Sequence, residues 1–235
     1  MSWILTISAR KFDLLNPTAA MVRTSDIVHA LSLVCRFTGH CAYHYSVAQH
    51  SLLVASILER EGCSPEEQLV GLLHDASEAY VNDLTRPLKL LLVEAARQRN
   101  ELWQSILAEH CPGQENQGIA LKAAIRHLLP NEQGQGLSAL IDIYQQIEGR
   151  VWFAICEHFA IDPDLPASVK RADMVALATE KRDLLPENSE PWQCLEGLEP
   201  MPFRVARTDY EEVRIMFHRR LLELLSTTHR GRAVA

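Results

Sequence analysis

Ser64-Pro65-Glu66-Glu67-Gln68-Leu69-Val70-Gly71-Leu72-Leu73-His74-Asp75-Ala76-Ser77-Glu78 reads as a helix that carries polar chemistry on its inward side. Ser64 as N-cap, Pro65 at the first helical position and Glu67 at the third make a capping box. Leu69, Leu72, Leu73 and Ala76 then recur at the spacing of an amphipathic stripe. Asp75 lies beside that stripe, and Glu78 follows Asp75 by three residues and His74 by four, so the three polar groups share one flank turned into the protein. Burying an imidazole and two carboxylates costs free energy unless something pairs with them. A divalent cation would be such a partner, and its remaining ligands should then exist elsewhere in the chain.

Two candidates do. A helix beginning at Ser46 would turn Val47, His50, Val54, Ile57 and Leu58 inward, with His50 the polar exception on an aliphatic face. Asp173 sits four residues from Val169 and from Leu177, where a leucine would be expected. Alone, each has a plain structural reading: His50 as a hydrogen-bonded core residue, Asp173 as an ion-pair partner of Arg171 or Lys181.

Together, His50, the His74-Asp75 pair and Asp173 resemble the H…HD…D signature of the HD-domain metal-dependent phosphohydrolases, and most closely the bacterial 5'-deoxynucleotidases and their phage and bacterial relatives. Val47-Ala48-Gln49-His50-Ser51 is similar to the segment around the family's first ligand. His74-Asp75-Ala76-Ser77-Glu78 followed by Asp83-Leu84-Thr85-Arg86-Pro87-Leu88-Lys89 looks like its dyad, glutamate and substrate loop, and Lys170-Arg171-Ala172-Asp173 its final-ligand segment. The likeness covers about residues 25 to 185, and it implies an all-α HD-type bundle, read as one domain over 1–235 with residues 186–235 packing on it.

The resemblance implies one divalent ion per chain, held by His50, His74, Asp75 and Asp173. Two imidazoles and two carboxylates without a thiolate suit Co, Mn, Mg, Ni, Fe or Zn. Binuclear relatives carry extra histidines between the dyad and the last aspartate; His110, His127 and His158 occupy that interval in no comparable motif, which favours one metal. Glu78 is assigned general acid/base work toward the attacking water or the departing 5'-oxygen, the alternative being an acceptor that orients His74. Arg36 corresponds to the arginine that grips phosphate, in a two-point contact lysine cannot reproduce. Phe37 stands where the deoxynucleotidases place a tryptophan against the sugar, a departure that bears on rejection of a 2'-hydroxyl. Asp83 would accept from the 3'-hydroxyl and Lys89 is a further cation for phosphate; a turn cap and a solvated helix residue are their structural alternatives.

The implied activity is removal of the 5'-phosphate from deoxynucleoside monophosphates. Release of triphosphate from a dNTP by the same ligands is the nearest alternative, hydrolysis of a signalling nucleotide a third, and a catalytically silent metal-dependent binding or regulatory subunit a fourth.

Composition is consistent with this. The chain has 235 residues, 47% of them hydrophobic, enough to bury a full core. A formal net charge of -7 disfavours a long nucleic-acid backbone but not a nucleotide, whose charges need only local cations such as Arg36, Lys89, Arg10 and Lys11. No apolar run approaches the ~20 residues of a membrane span, and the first residues lack a signal pattern. The six cysteines have no framework spacing, and Cys35, His40, Cys41 and His44 do not form a recurrent zinc pattern. Free thiols in a reducing compartment, hence a cytoplasmic protein, are expected.

Further helices are expected from Thr24, with Ile27, Leu31, Val34 and Cys35 inward; from Thr85 to about His110, with Leu91, Ala95, Leu102 and Ile106 inward; and over 120–129, 137–159 and 167–185. Residues 113–118 and 131–136 read as loops, and the four prolines of 186–202 as an extended surface segment. Thr208-Asp209-Tyr210-Glu211 would cap a last helix with Val213, Phe217, Leu221 and Leu224 inward, which completes the bundle or forms a homo-oligomer interface. Residues 4–7 and 10–13 suggest a small N-terminal hairpin.

Overall fold

A computed structural model describes residues 2–110 and 136–229. The chain falls into two compact units, Met1–Asp83 with Ile147–Ala235, and Leu84–Gln146. The architecture is all-α, with a two-stranded antiparallel hairpin at the N-terminus.

In the first unit, β1 (Trp3–Leu5) pairs with β2 (Lys11–Asp13) in the register Ile4 to Phe12. Phe12 is fully buried and stacks on Tyr80 at 3.8 Å between centroids. Five helices follow: α1 (Thr24–Leu33), α2 (Val47–Arg60), α3 (Pro65–Leu73), α4 (Glu78–Val81) and, after the second unit, the end of α6 (Gly136–Phe159). α7 (Ala167–Leu184) and α8 (Tyr210–Thr227) complete it. In the second unit, α5 spans Arg86–His110 and α6 begins.

α2 is the central element, packed against α1, α3, α7 and α8. Ser46 caps it in a capping box with Gln49, and Ser64 caps α3 in another with Glu67. Val54, Ile57 and Leu58 of α2 meet Leu69, Leu72 and Leu73 of α3 without solvent exposure, each such side chain contributing roughly 1.5–3 kcal/mol by removal from water. Gly71 makes the close approach possible: a Cβ there would lie 2.3 Å from Leu58 Cδ1 and 3.4 Å from Val54 Cγ1.

Four sequence expectations are corrected. His74, Asp75 and Glu78 do not share one continuous helix: α3 ends at Leu73 and α4 starts at Glu78. The N–H groups of Ala76 and Glu78 donate three residues back, to Leu73 and Asp75, and the carbonyl of Gly71 accepts from the His74 ring. Cys35 lies past the end of α1, half-buried, in an isolated bridge to Ser46. Leu91 on α5 is 67% exposed while Leu92 is buried; Leu90 to Val93 is apolar all round, so periodicity selects no face there. The cap of α8 is Asp209, whose side chain accepts from the Glu212 N–H, and Thr208 lies one residue outside it. The helix placed over 120–129, both glycine-rich loops and the side chains of Ala95, Leu102 and Ile106 lie outside the described residues.

The segment 186–202 is largely extended, with one short 3-10 turn at Gln193–Leu195. Val213, Phe217, Leu221 and Leu224 of α8 are buried as expected. Among the described residues no helix is long and apolar enough to cross a membrane.

Candidate metal centre

The capping box at Ser46 sets the phase of α2, which places His50 one turn in, on the buried face. His74 is the C-cap of α3, and its Nδ1 lies 2.8 Å from the Gly71 carbonyl oxygen. That acceptor can only receive a proton, so the ring carries hydrogen on Nδ1 and directs the Nε2 lone pair outward. His50 is arranged the same way with a stronger acceptor, Nδ1 lying 2.7 Å from Glu180 Oε1. The two rings are 5.3 Å apart.

Asp173 of α7 closes the group. Its Oδ1 is 3.0 Å from His50 Nε2 and 4.0 Å from His74 Nε2, and one ligand atom from each of His50, His74 and Asp173 falls within 4.8 Å of the others. These three side chains could hold a metal ion. Asp75, the fourth predicted ligand, borders them: its Oδ2 is 3.3 Å from His74 Nε2, 3.6 Å from His50 Nε2 and 3.6 Å from Arg36 Nη1. Both imidazole Nε2 atoms are buried and lack a hydrogen-bond partner, because the neighbouring carboxylates are close but out of line. Burial without a partner is costly for a ring nitrogen, and a cation among these oxygens and nitrogens supplies one. The donor set therefore fits a divalent ion.

The electrostatics agree. Burial and Arg36 disfavour a proton on His50, but Glu180 and Asp173 outweigh them and raise it to about 10. Burial likewise disfavours the charged form of His74, and Asp75 reverses the effect, raising it. Burial pushes both aspartates upward, yet Asp75 is held far below the usual carboxylate range by His74, His50 and Arg36, and Asp173 is lowered by His50. The carboxylates around the two rings thus favour positive charge at this place.

Arg36 lies beside this group, its side chain 12% exposed, with Nη2 3.2 Å from Glu180 Oε2. It precedes a turn in which Phe37, Thr38 and Gly39 all adopt left-handed φ, at 54°, 53° and 80°. That conformation is uncommon for non-glycine residues and costs of order 1–3 kcal/mol at each such position. It folds the Phe37 ring back to 5.4 Å from the Arg36 guanidinium carbon. Asp83 is near enough to favour the charged form of Arg36. Glu78 is 5% exposed at the start of α4, its N–H bonded to the carbonyl of Asp75. Lys89 belongs to the second unit, where its ammonium lies 5.8 Å from the Tyr144 ring centroid. Arg171, a candidate ion-pair partner of Asp173, pairs instead with Glu61.

Sequence reasoning missed Glu180 and Tyr45. Glu180 is fully buried and accepts from the Tyr45 hydroxyl at 3.0 Å as well as facing His50 and Arg36. A signal for it existed: it follows Asp173 by seven residues, two helical turns along the same face.

No family profile matches the chain. It is 29% identical over 200 residues to an uncharacterized Escherichia coli (strain K12) protein, YfdR, covering 84% of this chain and 81% of that one. It is 40% identical over 92 residues to an uncharacterized Rhodobacter capsulatus protein, RCAP_rcc00048, a match that spans 37% of this chain and 47% of that relative's length.

Proposed function

We propose that the chain is a divalent-metal-dependent nucleotide phosphohydrolase of the HD type, acting on the 5'-phosphate of deoxynucleoside monophosphates. One observation carries the reading: two buried imidazole Nε2 atoms without hydrogen-bond partners point, with Asp173, toward one place beside a half-buried arginine. His50, His74, Asp75 and Asp173 would hold the ion. When bound, it polarises a phosphoryl oxygen and lowers the pKa of an attacking water, to roughly 7 in the best-known zinc case.

The chain's own groups supply the rest. Arg36 offers a planar guanidinium for phosphate oxygens. Glu78, one residue past the turn that carries His74 and Asp75, moves a proton from the attacking water or to the departing 5'-oxygen. Phe37 gives an apolar wall for the sugar, and Asp83 an acceptor for its 3'-hydroxyl.

Incubating the purified protein with cobalt or manganese and a panel of dNMPs, NMPs and dNTPs, then identifying products, tests the proposal. Inorganic phosphate and a deoxynucleoside from dNMPs are expected. Triphosphate from dNTPs alone would replace the substrate class, and no metal-dependent product from any of them would overturn it.

A further inference from the structure

Glu180 occupies a position that the proposed chemistry does not use. It is a carboxylate with no solvent exposure, beside the buried His50 and the guanidinium of Arg36. An unpaired charge there would be strongly destabilising, and three donors surround it. Oε1 faces His50 Nδ1 at 2.7 Å and the Tyr45 hydroxyl at 3.0 Å, while Oε2 faces Arg36 Nη2 at 3.2 Å.

The two oxygens therefore act on different partners. Oε1 takes the Nδ1 proton of His50, fixing the tautomer whose Nε2 lone pair is free for a cation, and makes the ring a stronger ligand. Oε2 forms an ion pair with Arg36 Nη2 at 3.2 Å, out of line for a hydrogen bond, which draws the guanidinium to this side and leaves Nη1 toward Asp75 at 3.6 Å. His74 has only a neutral acceptor behind it, the Gly71 carbonyl. Of the two imidazoles, His50 is thus the one backed by a carboxylate, and that carboxylate also holds the arginine.

We propose that Glu180 is a positioning residue that couples the cation site to the anion grip, one carboxylate setting both the His50 ring and the Arg36 guanidinium. This rests on the reading of His50, His74, Asp75 and Asp173 as metal ligands. Cation affinity and phosphate affinity should then depend on the same side chain, although Glu180 itself touches neither ligand.

The test uses the full chain and two binding readouts independent of turnover: cobalt affinity by competition with a chromophoric chelator, and inorganic phosphate affinity of the cobalt-saturated protein. Glu180→Gln keeps the shape but presents an amide NH₂, a donor, to one of the surrounding donors. Cobalt affinity should fall by roughly 10–100-fold, the size of effect typical when the partner behind a ligating histidine is lost. Phosphate affinity should fall too, and Arg36→Ala with Glu180→Gln should bind phosphate no worse than Arg36→Ala alone while retaining the cobalt defect. A residue that merely supports the fold would lower stability and give additive losses, and either additive phosphate losses or cobalt affinity within twofold of wild type overturns the coupling. Tyr45→Phe removes one donor from Oε1 and should shift cobalt affinity more modestly in the same direction, a measurement that stands if Glu180→Gln does not fold; an unchanged affinity there counts against the proposal. Wild-type protein that takes up no cobalt would instead overturn the metal reading, and the coupling with it.

Discussion

His50 and His74 face each other at 5.3 Å between ring centroids, yet each is oriented from behind by a different element, His50 by Glu180 of α7 and His74 by the Gly71 carbonyl of α3. The ring pair is built by packing α2, α3 and α7 together, so each ligand sits on a helix or at its end. Replacing His74 or Asp173 by Ala removes one of the side chains around the orphaned nitrogens and should abolish stoichiometric cobalt binding together with turnover. Metal analysis of dialysed protein checks this: full occupancy in either variant means the ion, if bound, is held elsewhere.

Glu78 separates binding from chemistry. Glu78→Gln keeps size and most hydrogen bonding but cannot exchange a proton, so metal content should persist while kcat drops by roughly 10²–10⁴. Activity within a few-fold of wild type would reduce Glu78 to an orienting role behind the dyad.

Much of this was legible in the sequence because apolar period and cap chemistry agree. Ser46 and Ser64 announce α2 and α3, and the polar exceptions His50 on α2, His74 at the end of α3 and Asp173 on α7 converge in space. What stayed hidden depends on tertiary contact. The break between α3 and α4 coincides with the contact of the His74 ring and the Gly71 carbonyl, a side-chain interaction no periodicity contains. The left-handed turn at Phe37 and Thr38 has no glycine at those two positions to announce it. Glu180 looks like an ordinary helical glutamate until Arg36, Tyr45 and His50 close around it, and Leu91 could not be told from Leu92 in an unbroken apolar run.

The strained turn makes a prediction about substrate. Arg36→Ala should lower kcat/KM strongly, and Arg36→Lys should recover only part of it, since the planar two-point contact is gone. If the Phe37 ring walls off C2', Phe37→Ala should narrow the preference for dNMP over NMP chiefly by raising turnover of the ribonucleotide. One dNMP and NMP pair, measured on wild type and variant, decides the matter; an unchanged ratio places sugar selection elsewhere.

Gly71 tests how the two imidazoles are brought together. A methyl group there would press on Leu58 and Val54, both without solvent exposure, and overpacking of this kind costs about 1–3 kcal/mol. Gly71→Ala should lower unfolding stability by that amount, since the fully buried Leu58 side chain has to give way, and should weaken cobalt binding to the extent that α2 and α3 part rather than Leu58 turning aside. Adding Leu58→Ala makes room, so the double variant should lose less than the two single losses combined. Additive losses in denaturant melts would show that the glycine is not needed for the close approach.

Asp183 gives the pH dependence of the anchoring of residues 201–205. Its carboxylate, 3% exposed, accepts from Arg182 Nε and Nη2, Arg204 Nη1 and the Val205 N–H at 2.6–2.8 Å. Arg182 reaches on to the carbonyls of Met201 and Phe203. Burial alone would raise the pKa of Asp183, but Arg182, the Val205 N–H and Arg204 outweigh it and lower it to about 2, against an ordinary value of roughly 3.9 in the unfolded chain. A depressed folded-state value means the stabilisation is fully present above about pH 4 and disappears as pH falls through about 2. Asp183→Asn keeps the size and loses the charge, so it should be less stable than wild type at pH 5, with the gap closing as the pH is lowered toward 2. Chemical denaturation of both proteins across that range is the measurement, and a gap that stays constant would mean that the Asp183 charge does not anchor the segment.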